Sequence, residues 1–409
     1  MEMNRVHNIL EVPLKNLERR SIAVIGGGLI GLCTAYSALA RSQGQVKVSL
    51  YEAAEVGHPG AASSDVNRVF RHLNGPDPIL TNWALEARDI WNYLETLGGS
   101  CLLHRVGVVF LVHQRQGSSL KGHHIWPYEL PENWLDDSIR ILNDYKIPYK
   151  HMTPSNLPLV YPQFDTSSLS QAVLDPEAGF IDASKALSIL LEQSLKAGIE
   201  YHPHNKVVRV ELSRDGCILY VQRGKEMREV HVETVVIATN GWMGDLLPLP
   251  SGTLMLAEQP LVYLTLPKSN RDFIAGKMPV FISLSNDCYG IPSQNGNMKI
   301  ANDNPYRGID HPDQRDKPDD NYIEQVINTV SDFIPGLRTA TVEKIHVCFY
   351  DRSKDDRFIL DSWDKDARII YGCGMSGRAF KFGPVIGERL ARFAITGQRP
   401  ADLLHFQTQ

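Results

Sequence analysis

Apolar and polar positions near the start of the chain follow two different periods, which predict where strands and helices lie. Ser21–Ile25 is a short apolar run that ends in glycines, as is typical of a buried strand. Residues 29–41 are rich in Ala and Leu and are predicted to form a helix. Residues 46–51 alternate between apolar and polar side chains and end at Glu52, which predicts a second strand. Together these segments predict a βαβ unit.

Later segments repeat the same two kinds of pattern. Helices are predicted at residues 80–97, at 184–197 and at about 384–396. Strands are predicted at residues 207–212, 217–223, 234–238 and 369–373, and within the aromatic segment 255–300. Residues 114–133 are polar and rich in Gly and Pro, which predicts a surface loop or insertion, and the polar residues 302–321 are predicted to form a loop or lid.

The order of these patterns predicts how the chain is divided into domains. A chain of 409 residues is longer than one ordinary core requires. Dinucleotide-type elements occur at the start, in the middle and at the end, and the segments between them differ in pattern. We therefore predict an α/β protein, α+β overall, in which a Rossmann-type cofactor domain receives an inserted antiparallel-sheet substrate domain. The predicted domains are residues 20–75, 160–250 and 345–405 for the cofactor, and 76–159 and 251–344 for the substrate.

Composition and charge narrow the class of protein. Apolar residues make up 43% and charged residues 22% of the chain, which is typical of a globular protein in water. The net charge is −5 without a run of Lys or Arg, which argues against nucleic acid or an anionic membrane as the main partner. No apolar run approaches the roughly 18 residues of a membrane span, and no secretory or peroxisomal signal is recognisable. We therefore expect a cytoplasmic protein, either a monomer or a small homo-oligomer.

The cysteines are scattered and form no CxxC pair, which argues against a zinc site and against a disulfide framework. We therefore expect no metal, and we expect mostly structural thiols. The six positions are Cys33, Cys101, Cys217, Cys288, Cys348 and Cys373.

The segment GGGLIG lies between the first predicted strand and the first predicted helix. Gly26 permits a tight turn, Gly28 lets a pyrophosphate approach the helix N-terminus, and Gly31 allows close packing of helix and sheet. An acid at the end of the second strand can accept hydrogen bonds from a ribose hydroxyl. The motif predicts a bound dinucleotide but does not distinguish FAD from NAD. The residues predicted to contact it are Gly26, Gly28, Leu29, Ile30, Gly31 and Glu52.

Three segments in the C-terminal third distinguish between FAD and NAD as the predicted cofactor. They are HVCFY at residues 346–350, DDRFILD at 355–361 and GCGMSGRAFKFGP at 372–384. With the N-terminal unit they resemble the D-amino-acid oxidase superfamily of FAD enzymes. The most similar branch comprises monomeric sarcosine oxidase and the N-methyltryptophan, pipecolate and fructosyl-amino-acid oxidases. The resemblance covers nearly the whole chain, is specific at both ends and weaker in the middle, and implies FAD.

The resemblance implies roles for two residues beside the flavin. Cys348 matches the cysteine that carries FAD through a thioether to the flavin 8α carbon; the alternative is a buried, inert thiol. Lys299 matches the lysine near flavin N5, where a cation stabilises negative charge that develops on oxygen. Its alternative is a solvated strand lysine.

The resemblance also implies a set of residues around the substrate. Arg71 matches the arginine that pairs with the substrate carboxylate, and Lys381 matches the second cation of that clamp. Arg68 matches an arginine near the flavin ring, and Tyr350 matches a residue that hydrogen-bonds the substrate or shapes its pocket. The alternative for each cation is a surface ion pair that contributes little. Further residues implied to contact FAD are Ser63, Ser64, Val207, Gly374, Gly377, Ala379 and Phe380.

Two positions depart from the sarcosine-type pattern, which has histidine at both. Here the residues are Ser64 and Asp303. Both positions are near flavin and substrate in the family, so the departures put sarcosine itself in doubt. A larger or differently charged secondary amine or imino acid fits better.

The resemblance implies oxidation of a C–N bond in a carboxylate-bearing secondary amine or imino acid, with oxygen reduced to hydrogen peroxide. Three alternatives stay open: a tailoring oxidase of secondary metabolism, a dehydrogenase that uses another acceptor, and a regulatory flavoprotein without turnover. His72 is a candidate for proton handling, although a structural role is at least as well supported by its sequence context.

Overall fold

The computed structural model describes residues 9–15, 17–114, 131–267, 271–293 and 295–408. The segment 114–133, predicted to be a surface loop or insertion, lies almost entirely outside the described residues.

Helices, numbered in chain order, are Leu29–Ser42 (α1), Pro78–Gly98 (α2), Trp134–Asp144 (α3), Leu157–Val160 (α4), Ala183–Lys196 (α5), Asp320–Ser331 (α6) and Gly383–Thr396 (α7). The predicted helices at 29–41, 80–97, 184–197 and 384–396 are confirmed. Local chemistry explains the start of α2, because the Asp77 side chain accepts hydrogen bonds from the Ile79 and Leu80 amides. The helix ends before Gly99, which has the left-handed φ of 59°.

Strands, also in chain order, are Ser21–Ile25 (β1), Lys47–Tyr51 (β2), Asn67–Phe70 (β3), Leu103–His104 (β4), Val108–His113 (β5), Lys150–Met152 (β6), Leu169–Asp175 (β7), Gly179–Asp182 (β8), Glu200–His202 (β9), Lys206–Leu212 (β10), Cys217–Arg223 (β11), Glu226–Val232 (β12), Thr234–Ile237 (β13), Met255–Thr265 (β14), Val280–Ser283 (β15), Cys288–Pro292 (β16), Asn297–Asn302 (β17), Gly308–Ile309 (β18), Thr341–Arg352 (β19), Ile359–Ser362 (β20) and Ile369–Cys373 (β21).

The first sheet has the strand order β20-β21-β13-β1-β2-β9. Its pairings are parallel except for the edge pair of β20 and β21. Strands β1, β2, β13 and β21 are almost wholly buried, as expected of a parallel sheet that is covered on both faces. Helices α1, α2, α5 and α7 supply much of the adjoining core. This arrangement confirms the predicted Rossmann-type unit.

The second sheet has nine strands, eight of them in the order β18-β14-β17-β16-β15-β5-β7-β6, while β19 pairs with β14. Its pairings are antiparallel except for that of β5 with β15. Helix α6 packs into the core of this sheet. The predicted antiparallel substrate sheet is therefore present in a mixed α/β fold.

The predicted domain boundaries can be compared with the sheets. Strands β7 and β19 belong to the nine-stranded sheet, although most of their residues fall in segments predicted for the cofactor domain. Helix α2 packs with the cofactor core, although its residues fall in a segment predicted for the substrate domain. The segment 302–321, predicted as loop or lid, contains β18 and the first residues of α6. The division into domains itself stays a prediction.

Two small antiparallel sheets complete the described fold. One is the meander β10-β11-β12, and it confirms the strand pair predicted at 207–212 and 217–223. The other has the order β3-β8-β4, and β3 carries Arg68. Among the described residues, no helix is both long and apolar enough to cross a membrane.

Candidate functional site

A cavity of about 1700 Å³ draws its lining from both large sheets. It is larger than the roughly 300–1,000 Å³ of an ordinary small-molecule site, so it can hold a dinucleotide together with a substrate. The residues predicted for the site that line it are Gly26, Gly28, Leu29, Ile30, Glu52, Ser63, Arg68, Arg71, Val207, Lys299, Cys348, Tyr350, Gly377, Ala379, Phe380 and Lys381. Gly31, Ser64 and Gly374 do not line it.

The glycine turn between β1 and α1 forms one end of the cavity. Gly26 has a φ of +101°, and a β-carbon there would lie 2.6 Å from the Ala238 carbonyl oxygen. A β-carbon on Gly31 would lie 1.8 Å from the Gly26 carbonyl oxygen, so both positions require glycine. Gly28 is the N-cap of α1 and provides no side-chain cap. The uncapped helix N-terminus therefore presents amide groups and a positive dipole end to the cavity, which suits a pyrophosphate.

Glu52 fastens this turn. Its Oε2 accepts a hydrogen bond from the Gly27 amide at 2.6 Å, and its Oε1 accepts one from the Ala54 amide at 2.8 Å. Each carboxylate oxygen has a further lone pair, so the side chain can still accept from ribose hydroxyls. Thr239, whose buried hydroxyl oxygen has no hydrogen-bond partner among the described residues, lines the same cavity.

A buried ionic cluster adjoins the cavity, which its members Lys299 and Arg68 line. Lys299 Nζ lies 2.8 Å from Asp65 Oδ2 and 2.5 Å from the Asn67 carbonyl oxygen. The Arg68 guanidinium also pairs with Asp65, and the Tyr263 hydroxyl donates to the same carboxylate. The Asp65 and Lys299 side chains are 0% and 2% exposed. A charge buried this deeply is stable when it is paired and hydrogen-bonded, as these are.

Burial and charge act in opposite directions within this cluster. Burial disfavours the Asp65 carboxylate, but Lys299 and Arg68 hold its pKa below the usual range. Burial lowers the pKa of Lys299 to about 8, although Asp65 opposes the shift. Burial also disfavours the Arg68 cation, but Asp65 raises the pKa of that guanidinium above its usual value. The pKa of Lys299 is therefore shifted from its usual range toward neutral pH.

The two cations predicted to form the substrate clamp both line the cavity. Lys381 is 2% exposed, and its Nζ donates to the Arg378 carbonyl oxygen at 3.4 Å. Arg71 lies over the rings of Phe110 and Trp134, with its Cζ 5.8 and 5.3 Å from their centroids. Within the described part of the chain, neither cation forms a salt bridge with a carboxylate.

The pKa values of both cations reflect this lack of a partner. Burial, with the neighbouring charges of Arg71 and Arg378, holds the pKa of Lys381 well below its usual range. Burial and the charge of Arg378 lower the pKa of Arg71 to about 10. Asp303 also lines the cavity, and its charge partly opposes both shifts. Two desolvated cations without an ion-pair partner are suited to bind an anion.

Cys348 lies on β19 with 3% of its surface exposed. Its Sγ is 4.0 Å from an Arg68 guanidinium nitrogen and 3.6 Å from the Ala62 carbonyl oxygen. The thiol therefore lines the cavity next to a cation.

Tyr350 follows two positions later on the same strand and is hydrogen-bonded to Tyr289. Burial raises the pKa of both hydroxyls, and the charge of Arg68 partly offsets the shift at Tyr289. Both phenols therefore stay neutral at physiological pH. Gly377 leaves room for the Tyr350 ring, because a β-carbon on this glycine would overlap it.

A family model described as DAO, FAD dependent oxidoreductase, matches residues 21–393. The chain belongs to this family. It is 26% identical over 394 residues to N-methyl-L-tryptophan oxidase from Yersinia pestis, covering 94% of this chain and 97% of that protein. The N-methyl-L-tryptophan oxidase of Yersinia pseudotuberculosis matches equally well.

Solved structures with a similar fold include an amino-acid dehydrogenase and two amino-acid oxidases. L-proline dehydrogenase from P. horikoshii has a TM-score of 0.78 at 18% identity, with 96% of this chain and 97% of that chain covered. NikD, an unusual amino acid oxidase essential for nikkomycin biosynthesis, has a TM-score of 0.75 at 19% identity, with 95% and 98% covered. Glycine oxidase from Geobacillus kaustophilus has a TM-score of 0.75 at 17% identity, with 95% and 99% covered.

This FAD-dependent oxidoreductase has a cavity that fits the family's cofactor. The glycine turn and α1 would hold the pyrophosphate, and Glu52 and Val207 would lie toward the adenosine half. Arg68, Lys299 and Phe380 line the remaining part, where the flavin ring would be bound. The Arg68 guanidinium lies 5.9 Å from the centroid of Phe380, so the cation and the ring are packed together.

Three residues that were predicted to contact FAD, namely Gly31, Ser64 and Gly374, lie outside the cavity lining. The Ser64 hydroxyl donates to the Gly57 carbonyl oxygen at 3.0 Å, and the Gly374 amide donates to Asp351 at 2.7 Å. Gly31 serves the turn itself. His72 also lies outside the lining, fully buried with Nδ1 3.1 Å from Asp175, which fits its structural alternative.

Sequence reasoning missed three residues of the site. They are Asp65, Tyr289 and Asp351. Tyr289 and Asp351 line the cavity, whereas Asp65 lies behind the lining, paired with Lys299 and Arg68. Asp65 lies three positions before Arg68, and this i,i+3 spacing of opposite charges is the one local signal that could have drawn attention to it.

Proposed function

We propose that this member of the DAO family oxidises a C–N bond of a carboxylate-bearing secondary amine or imino acid to an imine, with oxygen reduced to hydrogen peroxide. The observation that carries the proposal is the buried side chain of Lys381 in the cavity wall. Among the described residues, no carboxylate forms an ion pair with it. Arg71 lies close enough for its charge to lower the pKa of Lys381. A substrate carboxylate would satisfy both cations.

The chain's own residues would bind and orient the substrate. With its carboxylate held by Arg71 and Lys381, the reacting C–H bond is fixed within the cavity, which is a proximity effect. The amine must be unprotonated, because its lone pair expels the hydride. Neutral Tyr350 and Tyr289 can hydrogen-bond an amine without transferring charge. FAD supplies the two-electron acceptor when it is bound, and water then hydrolyses the imine product.

The proposed substrate is larger than sarcosine or differently charged. Asp303 places a carboxylate in the cavity wall near the cations, where the sarcosine-type pattern has histidine. The relatives that share the fold are described as acting on N-methyl-L-tryptophan, L-proline and glycine. A role in the biosynthesis of a secondary metabolite, as described for NikD, stays a narrower form of this proposal.

A dehydrogenase that uses another electron acceptor is the second candidate. The observation in its favour is the ion pair of Lys299 with Asp65, because a carboxylate 2.8 Å away weakens the positive field that oxygen would meet. Arg68 supplies a second cation, so the cluster retains a net positive charge, and this favours the oxidase.

The test is a panel of N-methyl and cyclic amino acids, with bleaching of the bound flavin measured in the absence of oxygen. Oxygen is then admitted, and hydrogen peroxide is measured against the amount of flavin reduced. We expect bleaching followed by stoichiometric peroxide, and we expect Lys299→Met to slow the second step while leaving the first largely intact. Bleaching without peroxide would establish the dehydrogenase. A flavin that no amine bleaches would support a regulatory flavoprotein and end the proposal.

The location of the protein and its assembly state are separate matters. A cytoplasmic monomer or small homo-oligomer stays a prediction from the sequence, and fractionation of cells with size measurement of the purified chain would test it.

A further inference from the structure

Asp65 occupies a position that the proposed chemistry does not explain by itself. Its carboxylate is fully buried and receives Lys299, Arg68 and the Tyr263 hydroxyl. Removing a carboxylate from water is costly, and a packed apolar side chain at this position would avoid that cost. The arrangement therefore indicates that the charge has a function.

The geometry around the ammonium defines that function. An ammonium group has three N–H donors. Two of the donors of Lys299 are directed at Asp65 Oδ2, at 2.8 Å, and at the Asn67 carbonyl oxygen, at 2.5 Å. One donor is left for the cavity that the side chain lines. Asp65 and Asn67 thus fix the direction of the remaining N–H.

We propose that Asp65 is a positioning residue that keeps Lys299 in its charged form and directs it into the cavity, and so sets the pH range over which the chain passes electrons to oxygen. The inference rests on the proposed oxidase function. Two electrons from the reduced flavin and two protons convert oxygen to hydrogen peroxide, so negative charge develops on oxygen before the protons arrive. A cation held nearby stabilises that charge.

Other charged and titratable groups surround the pair, on neighbouring strands and on the loop that contains Arg315. Burial lowers the pKa of Lys299 to about 8, and Asp65 is the leading group that opposes this shift. Replacing the carboxylate by an amide would therefore lower the pKa of Lys299 further. The additional groups near the pair are Arg68, Tyr263, Tyr289, Arg315, Lys344, His346 and Cys348.

The experiment uses the flavin-loaded chain with its flavin reduced by light, so that no amine substrate is needed. Reoxidation by oxygen is followed by stopped-flow absorbance from pH 5.5 to 9.5. We expect the wild-type rate constant to fall as the pH rises through about 8. In Asp65→Asn the fall should move to lower pH, with a rate about tenfold lower at pH 7.5 and recovery in acid. Lys299→Met should be slow and lack this transition, and Asp215→Asn, the same chemical change on an exposed turn, should follow the wild type.

The pH profile distinguishes this role from a purely structural one. A profile of Asp65→Asn that superimposes on the wild type overturns the inference, and so does a variant that is faster at every pH. The proposed function fails separately, because a chain whose flavin no amine bleaches can still show the expected reoxidation profiles.

A second measurement covers variants that fold poorly. Thermal unfolding of Asp65→Asn, Lys299→Met and the double variant forms a double-mutant cycle. We expect the fall in Tm of the double variant to be smaller than the sum of the single losses, because the two side chains interact directly and each single change already breaks that ion pair. Additive losses contradict the coupling. Asp65→Glu retains the carboxylate and should restore part of the wild-type pH profile; a profile like that of Asp65→Asn counts against the inference.

Discussion

A β-carbon on Gly377 would lie 2.4 Å from the Tyr350 ring, so the loop that follows β21 is packed directly against the aromatic face of the site. Gly377 also has a φ of +67°, in the left-handed region that favours glycine. The contact joins the C-terminal loop to β19, and it fixes the ring that carries one of the two cavity phenols.

Gly377→Ala tests this contact. We expect a loss of about 1–3 kcal/mol from overpacking and a lower content of bound flavin, because the ring and the loop must separate. Thermal unfolding and the ratio of flavin to protein absorbance measure the two effects. Gly244→Ala is the matched control, since a β-carbon there meets no atom within 4 Å. Equal behaviour of the two variants would contradict the proposed packing role.

Cys348→Ser tests covalent attachment. If the Cys348 thiol carries the flavin, acid denaturation of the wild type leaves the yellow colour on the precipitated polypeptide, whereas the serine variant releases it. Absorbance of pellet and supernatant is the measurement. Cys101→Ser changes an exposed thiol instead and should behave as the wild type. Quantitative release of colour from the wild type refutes the link.

Lys381→Met tests the carboxylate clamp. We expect a loss of about 2 kcal/mol in the binding of the carboxylate, which is about thirtyfold in affinity. The measurement compares L-proline with pyrrolidine, which differ by the carboxylate, in anaerobic bleaching of the flavin. The loss should be confined to L-proline, and Lys365→Met, an exposed lysine, should have no effect. An equal loss for both amines would assign Lys381 to another role.

Asp351→Asn tests a buried carboxyl beside the same loop. Burial raises the pKa of Asp351 to about 7, although the Gly374 and Met375 amides donate to it and oppose the shift. Between about pH 4, where an unfolded Asp titrates, and pH 7, the folded chain binds the additional proton. The stability contribution of this group therefore falls as the pH rises across that window.

The measurement is Tm against pH for both chains. We expect the Tm of the wild type to fall relative to that of Asp351→Asn between pH 4 and 7, with a constant difference above that range. Asp366→Asn, at an exposed position, serves as the control and should run parallel to the wild type. A constant difference across the whole range would show that Asp351 does not titrate there.

Local pattern was enough to predict the elements that surround the glycine turn. The predicted helix at 29–41 and the strand at 46–51 agree with α1 and β2 to within one residue at each end. Glycine at position 31 is required by a contact with Gly26 inside the same unit, so a short window of sequence contains that information. The contact that requires glycine at position 26 comes from Ala238, far along the chain.

The ionic cluster could not be predicted in the same way. Asp65 precedes β3, Tyr263 lies on β14 and Lys299 lies on β17, and only the pairing of β14 with β17 sets the last two opposite each other. The same limitation applies to β7, whose sequence does not reveal which sheet it joins. The pairing of strands that are far apart in the chain determines these features, and it is difficult to predict from a single sequence.

The cavity takes its lining from Gly26 near one end of the chain and from Lys381 near the other. During synthesis the glycine turn leaves the ribosome long before the residues around Lys381 exist. A partly synthesised chain therefore has no enclosed place for a flavin, however well its first βαβ unit folds. Loading with FAD must be a late event, and a truncated or stalled chain would be colourless as well as inactive.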